Sequence, residues 1–268
     1  MMKKSTKVIA MMMIGIFLCM LDTTVMNIAL PAIQTGLNTD LTHLSWALNI
    51  YSVLFASLAI PLGRLADVWG RGRMYLIGLG LFGIGSLTSG LSLSVGLLIT
   101  GRAIQSIGAA IVFPASMTIG IQSVALSRRT GVIASLGVMQ GLAAALGPTI
   151  GGAVTQFWGW RGIFLINVPL VAVALCGCIA WLSWRHPSHG QVKLDLGGSA
   201  LVMTTLLALT LVLVKGNDWG WTSRVVLSLG VTSALTLIAF VWMEAHVSAP
   251  MVLSLIHISE PTRRVVIS

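Results

Sequence analysis

The chain has 268 residues, of which 56% are hydrophobic and 9% charged, and its mean hydropathy is +0.94. A water-soluble domain of this length covers its surface with far more charge, so the composition excludes one and leaves lipid as the main solvent. The formal charge of +9 would suit nucleic acid only if the basic residues gathered on a polar face, and they sit between apolar runs instead.

Apolar runs of about twenty residues recur along the chain, the length of helix that crosses roughly 30 Å of hydrocarbon. The alternating ten-residue segments of a β-barrel are absent from the sequence. The reading is an all-α polytopic membrane protein with eight spans, near 8–33, 45–63, 75–94, 97–121, 131–155, 162–184, 194–214 and 223–243. The first run is too long for a cleavable signal peptide and continues through Asp22 and Asn27 to Pro31 with no small-residue cleavage site.

Basic residues between the spans set an expected orientation. Lys3, Lys4, Lys7, Arg64, Arg71, Arg73, Arg128, Arg129, Arg185 and Lys193 fall on one side, against Arg161, Lys215 and Arg224 on the other. Because Lys and Arg are retained on the cytoplasmic side, the N-terminus is expected in the cytoplasm. The basic surplus then reads as a topology signal with attraction to anionic lipid, not as a nucleic-acid surface. All nine tryptophans, from Trp46 to Trp242, fall at or just beyond an expected span end, where an indole is expected to sit among headgroups.

Few side chains suit enzyme chemistry. Cys19, Cys176 and Cys178 lie in apolar runs and read as small packing residues. Cys, His and carboxylates show no metal-ligand spacing, and no nucleophile stands beside a base, so neither a metal site nor an enzyme is expected. Two ionised residues lie well inside spans: Asp22 in the first and Arg102 in the fourth. At 1.5 Å per residue, Asp22 is ~21 Å past the cytoplasmic end of its helix and Arg102 ~8 Å below the outer end of its own. Their depths allow one shared cavity. A charge there costs several kcal/mol and needs a partner or water. The pair could simply lock two helices. It could also exchange a proton, since burial favours the neutral carboxyl and a nearby Arg the ionised one. Gln105 lies one turn from Arg102, with Asn27 and Gln34 as further polar wall residues.

Two stretches suggest movement. Gly141, Gly147, Pro148, Gly151 and Gly152 leave one face of the fifth span nearly bare, which suits close helix packing, a bend at Pro148, and a hinge or sealing surface. The segment Gly63-Arg64-Leu-Ala-Asp67-Val-Trp-Gly70-Arg71-Gly-Arg73 reads as a short loop reversing at Gly63 and Gly70. Asp67 there is expected just before a helix N-terminus, pairing with arginine as a latch.

These residues together resemble a known family. Leu21-Asp22-Thr23-Thr24-Val25-Met26-Asn27-Ile28-Ala29-Leu30-Pro31 is similar to the first-helix motif of the fourteen-helix drug/proton antiporters of the major facilitator superfamily. The segment Gly63 to Arg73 resembles the superfamily's loop between helices two and three, with Val68 and Gly72 where basic residues are common. Arg102-Ala-Ile-Gln105-Ser-Ile-Gly108 resembles the fourth-helix motif associated with proton transfer, and the run ending Gly147-Pro148-Thr-Ile-Gly151-Gly152 the fifth-helix motif of exporters. Trp160-Arg161-Gly-Ile-Phe-Leu-Ile-Asn167-Val-Pro169 also looks typical of this branch.

The resemblance implies a six-helix N-terminal bundle of two three-helix inverted repeats over 1–184, in which helices one and four are counterparts. It further implies two extra transmembrane helices within 185–252, opening with Asp195-Leu-Gly197-Gly198, and a second six-helix half beyond this chain. The implied activity is proton-coupled efflux by alternating access in the plasma membrane, with Asp22, Arg102 and Gln105 in the coupling path. No cofactor beyond the proton gradient is implied. The implied partners are lipid, protons and an amphipathic or cationic substrate, with no nucleic acid. Export of a metabolite by the same mechanism, or a non-transporting membrane scaffold or sensor, are the alternatives. Residues 253–268 depart from the family, and Leu253-Ser-Leu-Ile-His-Ile-Ser-Glu-Pro-Thr-Arg263 resembles the translation of a sequencing-library adapter. They are expected to be a non-native tail.

Overall fold

The structure is a computed structural model that describes residues 2–182 and 195–246. The segments 185–193 and 253–268, which include the expected tail, and Trp184 lie outside the described residues. Among the described residues nine α-helices follow one another: α1 Met2–Leu37, α2 Leu41–Trp69, α3 Arg71–Gly90, α4 Val95–Gln122, α5 Arg129–Trp158, α6 Gly162–Leu165, α7 Asn167–Trp181, α8 Leu196–Trp219 and α9 Arg224–His246. Seven helical stretches among the described residues are long and apolar enough to cross a membrane. The expected third span, α3, falls short because it carries Arg71 and Arg73 in its first turn and glycine throughout. It is nonetheless helical and largely buried among its neighbours.

Local chemistry sets the helix ends. Asp40 caps α2, its Oδ1 accepting the His43 N–H at 2.7 Å, and Ser94 caps α4 by accepting the Leu97 N–H. The hydrogen bond from His43 to Asp40 holds this exposed carboxyl below the usual carboxylate range. α2 runs to Trp69, so Gly63 lies inside a helix and turns nothing. The reversal occurs at Gly70 alone, whose φ of +99° an L side chain rarely adopts. The expected sixth span runs as one apolar stretch over Gly162–Trp181, with a local irregularity at Ile166 between α6 and α7. Pro169 accounts for the irregularity, since it has no N–H to bond the Leu165 carbonyl one turn earlier.

The chain divides into two compact units, Met1–Gly190 and Gln191–Ser268. In the first, α4 packs on α2 and α3, while α1 packs on α5, α4 and α7. In the second, α8 pairs with α9, joined by a 2.8 Å Thr205–Thr236 hydroxyl bond and by Ser233 Oγ donating to the Thr205 carbonyl. The first unit's core has two parts along α1. Met12, Ile16 and Cys19 pack with Tyr75, Phe82 and Val171, and further along Leu21, Val25 and Met26 pack with Ala47, Leu98 and Phe164. Asp22 falls where the two parts meet. Outward-facing Ile77, Ile84, Ile133, Val138 and Ile179 are exposed, as suits helices whose solvent is lipid.

Small residues let α3 and α4 touch backbone to backbone. A Cβ at Gly85 would lie 2.6 Å from the Gln105 Cα, one at Gly101 2.7 Å from the Ser89 nitrogen, and one at Gly108 2.6 Å from the Gly78 carbonyl oxygen. None of these neighbours can swing away. Of the tryptophans, Trp69, Trp158, Trp181 and Trp219 end α2, α5, α7 and α8. Trp160 lies in the turn between α5 and α6, where it is 5% exposed and packs edge-on against Phe164.

Gly108→Ala is therefore expected to destabilise the bundle by about 1–3 kcal/mol or more through overpacking. Gly80→Ala, with nothing within 4 Å of its Cβ position, should be silent. Thermal unfolding of both variants in detergent checks this, and equal melting temperatures would contradict the seam.

Candidate functional site

At the junction of the two core parts lies a closed polar cluster drawn from four helices, α1, α3, α4 and α7. Asp22, Arg102, Gln105, Ser86 and Asn167 are each at most 4% exposed. Arg102 Nη1 donates to Asp22 Oδ2 and also to Gln105 Oε1 at 2.8 Å. Gln105 Nε2 lies 2.7 Å from both Asp22 Oδ1 and Ser86 Oγ. Asn167 Nδ2 lies 3.3 Å from the same two oxygens. Arg102 Nε donates to the Ala47 carbonyl at 3.3 Å, and the guanidinium carbon stands 4.2 Å from the Tyr51 ring centroid and 5.8 Å from that of Phe164. Tyr51 is held in turn, its hydroxyl donating to the Cys19 carbonyl and its own carbonyl accepting from Ser106.

Burying both charges is costly, and their attraction offsets the cost only when the remaining lone pairs and protons are bonded. Here both carboxylate oxygens are bonded. Asp22 and Arg102, placed at matching depths by residue counting, are in direct contact, with Gln105 bridging them. Spacing identified these three but missed Ser86, Tyr51, Phe164 and Asn167. Asn167 did leave a trace as a lone amide in an apolar run. Ser86, among other small residues of α3, left none.

The other expected site residues fall elsewhere. Asn27 is exposed and bonds only its own helix, at the Thr23 carbonyl. Pro31 is exposed, its carbonyl accepting from Thr35. The Thr24 hydroxyl turns back to the Leu21 carbonyl at 2.9 Å. Thr24 instead explains Gly147, where a Cβ would lie 2.6 Å from the Thr24 Cβ. Gly151 approaches Val25 in the same way, so Gly147 and Gly151, one turn apart, form the seam between α5 and α1. Gly141 and Gly152 take no part, with nothing within 4 Å of their Cβ positions. Pro148 is exposed within α5.

At the α2–α3 turn, Asp67 lies on the last turn of α2, where a negative charge opposes the helix dipole. Arg71 Nε at 2.6 Å and Arg64 Nη1 at 3.9 Å offset it, so one carboxylate ties the first turn of α3 to the end of α2. Arg73 is exposed beside them. A cavity of about 620 Å³ opens between the start of α1 and the α4–α5 turn, lined by Ser5, Thr6, Ser123, Arg128 and Ser135. It shares no residue with the buried cluster. Among the described residues no three His, Cys, Asp or Glu are placed to hold a metal ion.

The sequence that forms these helices matches a known family. The Major Facilitator Superfamily profile aligns with residues 12–259. The chain belongs to the Major Facilitator Superfamily. This is a family of transporters, not enzymes. The chain is 33% identical over 241 residues to the multidrug resistance protein Stp of Mycobacterium tuberculosis, covering 89% of this chain and 44% of that protein. It is 35% identical over 247 residues to the methylenomycin A resistance protein of Bacillus subtilis, covering 91% and 52% respectively. The cephamycin export protein CmcT of Amycolatopsis lactamdurans is 35% identical over 235 residues, covering 87% of this chain and 48% of that protein. The chain thus spans about half the length of these curated relatives.

Removing one member of the buried pair should cost far more than removing both. Arg102→Ala strands the Asp22 carboxylate and is expected to destabilise the first unit by about 3–5 kcal/mol. Adding Asp22→Ala should recover a measurable part of that loss. Unfolding of the two variants in detergent gives the comparison, and a double variant no more stable than Arg102→Ala would contradict the pairing.

Proposed function

We propose that the protein is a proton-coupled exporter of drugs or other amphipathic compounds, working by alternating access in the plasma membrane as a member of the fourteen-helix antiporter branch. The observation that carries this reading is the Asp22–Arg102 pair, sealed inside the bundle with Gln105. The names of the relatives, a multidrug resistance protein, an antibiotic resistance protein and a cephamycin export protein, support this substrate class.

A proton on Asp22 removes its charge and with it the ionic tie between α1 and α4. Arg102 then keeps the Gln105 oxygen, the Ala47 carbonyl and the Tyr51 and Phe164 rings as partners. Breaking a buried pair costs about 3–5 kcal/mol. Reversing a two-state equilibrium from 1:99 to 99:1 takes about 5.5 kcal/mol. One protonation is thus of the size needed to bias which side of the membrane the protein opens to. The α1–α5 glycine seam and the Asp67 ties are surfaces that would slide and re-form as the bundle rocks.

The surplus of Lys and Arg between one set of spans supports a cytoplasmic N-terminus. The coverage of the relatives supports a second six-helix half, with substrate, protons and lipid as the other partners and the proton gradient as the energy source. Cephamycin export by one relative keeps a metabolite as the alternative cargo.

In a pump-deficient host carrying the full-length gene, Asp22→Asn is expected to abolish dye and biocide efflux and the accompanying proton flux while leaving the protein inserted. Unchanged coupled efflux would end the assignment. The 268-residue chain alone should not transport in the same assay, since the cavity is proposed to form between two halves.

A further inference from the structure

Asn167 carries an atom that the buried cluster leaves over. The residue is 1% exposed, its Nδ2 is shared between Asp22 Oδ1 and Ser86 Oγ, and its Oδ1 is buried without a hydrogen-bond partner. An unbonded buried acceptor costs about 1–3 kcal/mol, and native interiors keep few of them. The cost has a reason if another state of the same site uses the atom.

An asparagine amide holds its donor and its acceptor at two ends of one planar group, and its terminal torsion is broad and roughly two-fold. Half a turn exchanges the two ends. Beside a carboxylate the nitrogen must face Asp22, because two acceptor oxygens would repel. Beside a carboxylic acid the O–H needs an acceptor, and the reversed amide is the matched one. Ser86 tolerates either orientation, since a hydroxyl both donates and accepts. Gln105 is not free to exchange its ends: its Oε1 is taken by Arg102, and its Nε2 bonds both Asp22 and Ser86.

We propose that Asn167 is a positioning residue that serves both protonation states of Asp22. Its Nδ2 donates to the carboxylate, and after the amide turns its Oδ1 accepts the acid's O–H. The step places one proton from water on Asp22 Oδ1; only hydrogen bonds change otherwise. The titratable and charged groups facing the site are Cys19 on α1, Tyr51 on α2 and Arg102 on α4. The neighbours from α3, α6 and α7 are Ser86, Phe164 and Asn167, none of which titrates. The inference rests on the proposed protonation of Asp22, not on export itself.

Infrared difference spectra of the whole chain in lipid nanodiscs, taken on acidification, read this directly. The carboxylic acid C=O band that is absent in Asp22→Asn belongs to Asp22. In Asn167→Leu, of similar shape, that band is expected to move to higher frequency, as for an acid without a partner. Asn167→Ser, whose hydroxyl can serve both states, should return it toward the wild-type position. With 13C-labelled asparagine, a wild-type side-chain amide band should change in step with the Asp22 band and stay constant in Asp22→Asn, a measurement that needs no change at Asn167. An unmoved acid band in a folded Asn167→Leu protein overturns the proposal. So does an amide band indifferent to acidification, or the lack of any band that depends on Asp22. Proton-coupled efflux that survives Asp22→Asn would instead end the assignment of Asp22 as the coupling carboxylate and leave the infrared result standing.

Discussion

The bundle is organised around one constraint, that a carboxylate and a guanidinium inside an apolar fold must satisfy every polar atom they bring with them. Asp22 and Arg102 meet this by recruiting an amide from their own neighbourhood, Gln105, and a second amide and a hydroxyl from α7 and α3. The aromatic rings of Tyr51 and Phe164 complete the lining. Six helices are therefore held in register by a few side chains, in a medium that gives helices little hydrophobic reason to associate.

That cluster closes only because the backbones come close. Gly85 precedes Ser86, and the space where its Cβ would stand is occupied by the backbone of Gln105. The missing side chain on α3 is what lets the Gln105 amide reach the Ser86 hydroxyl at 2.7 Å. Gly101 and Gly108 continue the contact above and below. On the opposite flank, Gly147 and Gly151 let α5 lie against Thr24 and Val25, close to Asp22 on the same helix. The motifs on the first and fifth helices are thus two sides of one contact. A substitution in either seam would reach the polar cluster without touching it.

The difference between the cluster and the α2–α3 turn is also physical. Asp67 and its arginines are partly exposed, so water and salt screen their attraction and the tie stays weak enough to break and re-form. The Asp22–Arg102 pair is sealed, so water and salt screen its attraction far less. If the proposed exporter rocks between two arrangements, the turn supplies a reversible contact and the cluster supplies the bias.

Much of this was legible in the chain itself. Apolar runs of membrane length established helices, since a backbone in lipid must bond within its own segment. The rarity of buried charge singled out Asp22 and Arg102, and the four-residue spacing of Gly147 and Gly151 marked a bare helix face. What the residues alone could not tell was which face meets which. Gly63 looked like a turn but lies inside a helix, because only a positive φ, found at Gly70, distinguishes the two. Asn27 is exposed on its own unit, and Trp160, in the turn between α5 and α6, is buried against Phe164. Ser86 and Asn167 joined the site from helices far apart in sequence. A hydroxyl or an amide acquires a role only from the atom placed opposite it, and that placement is a property of helix packing, not of local sequence.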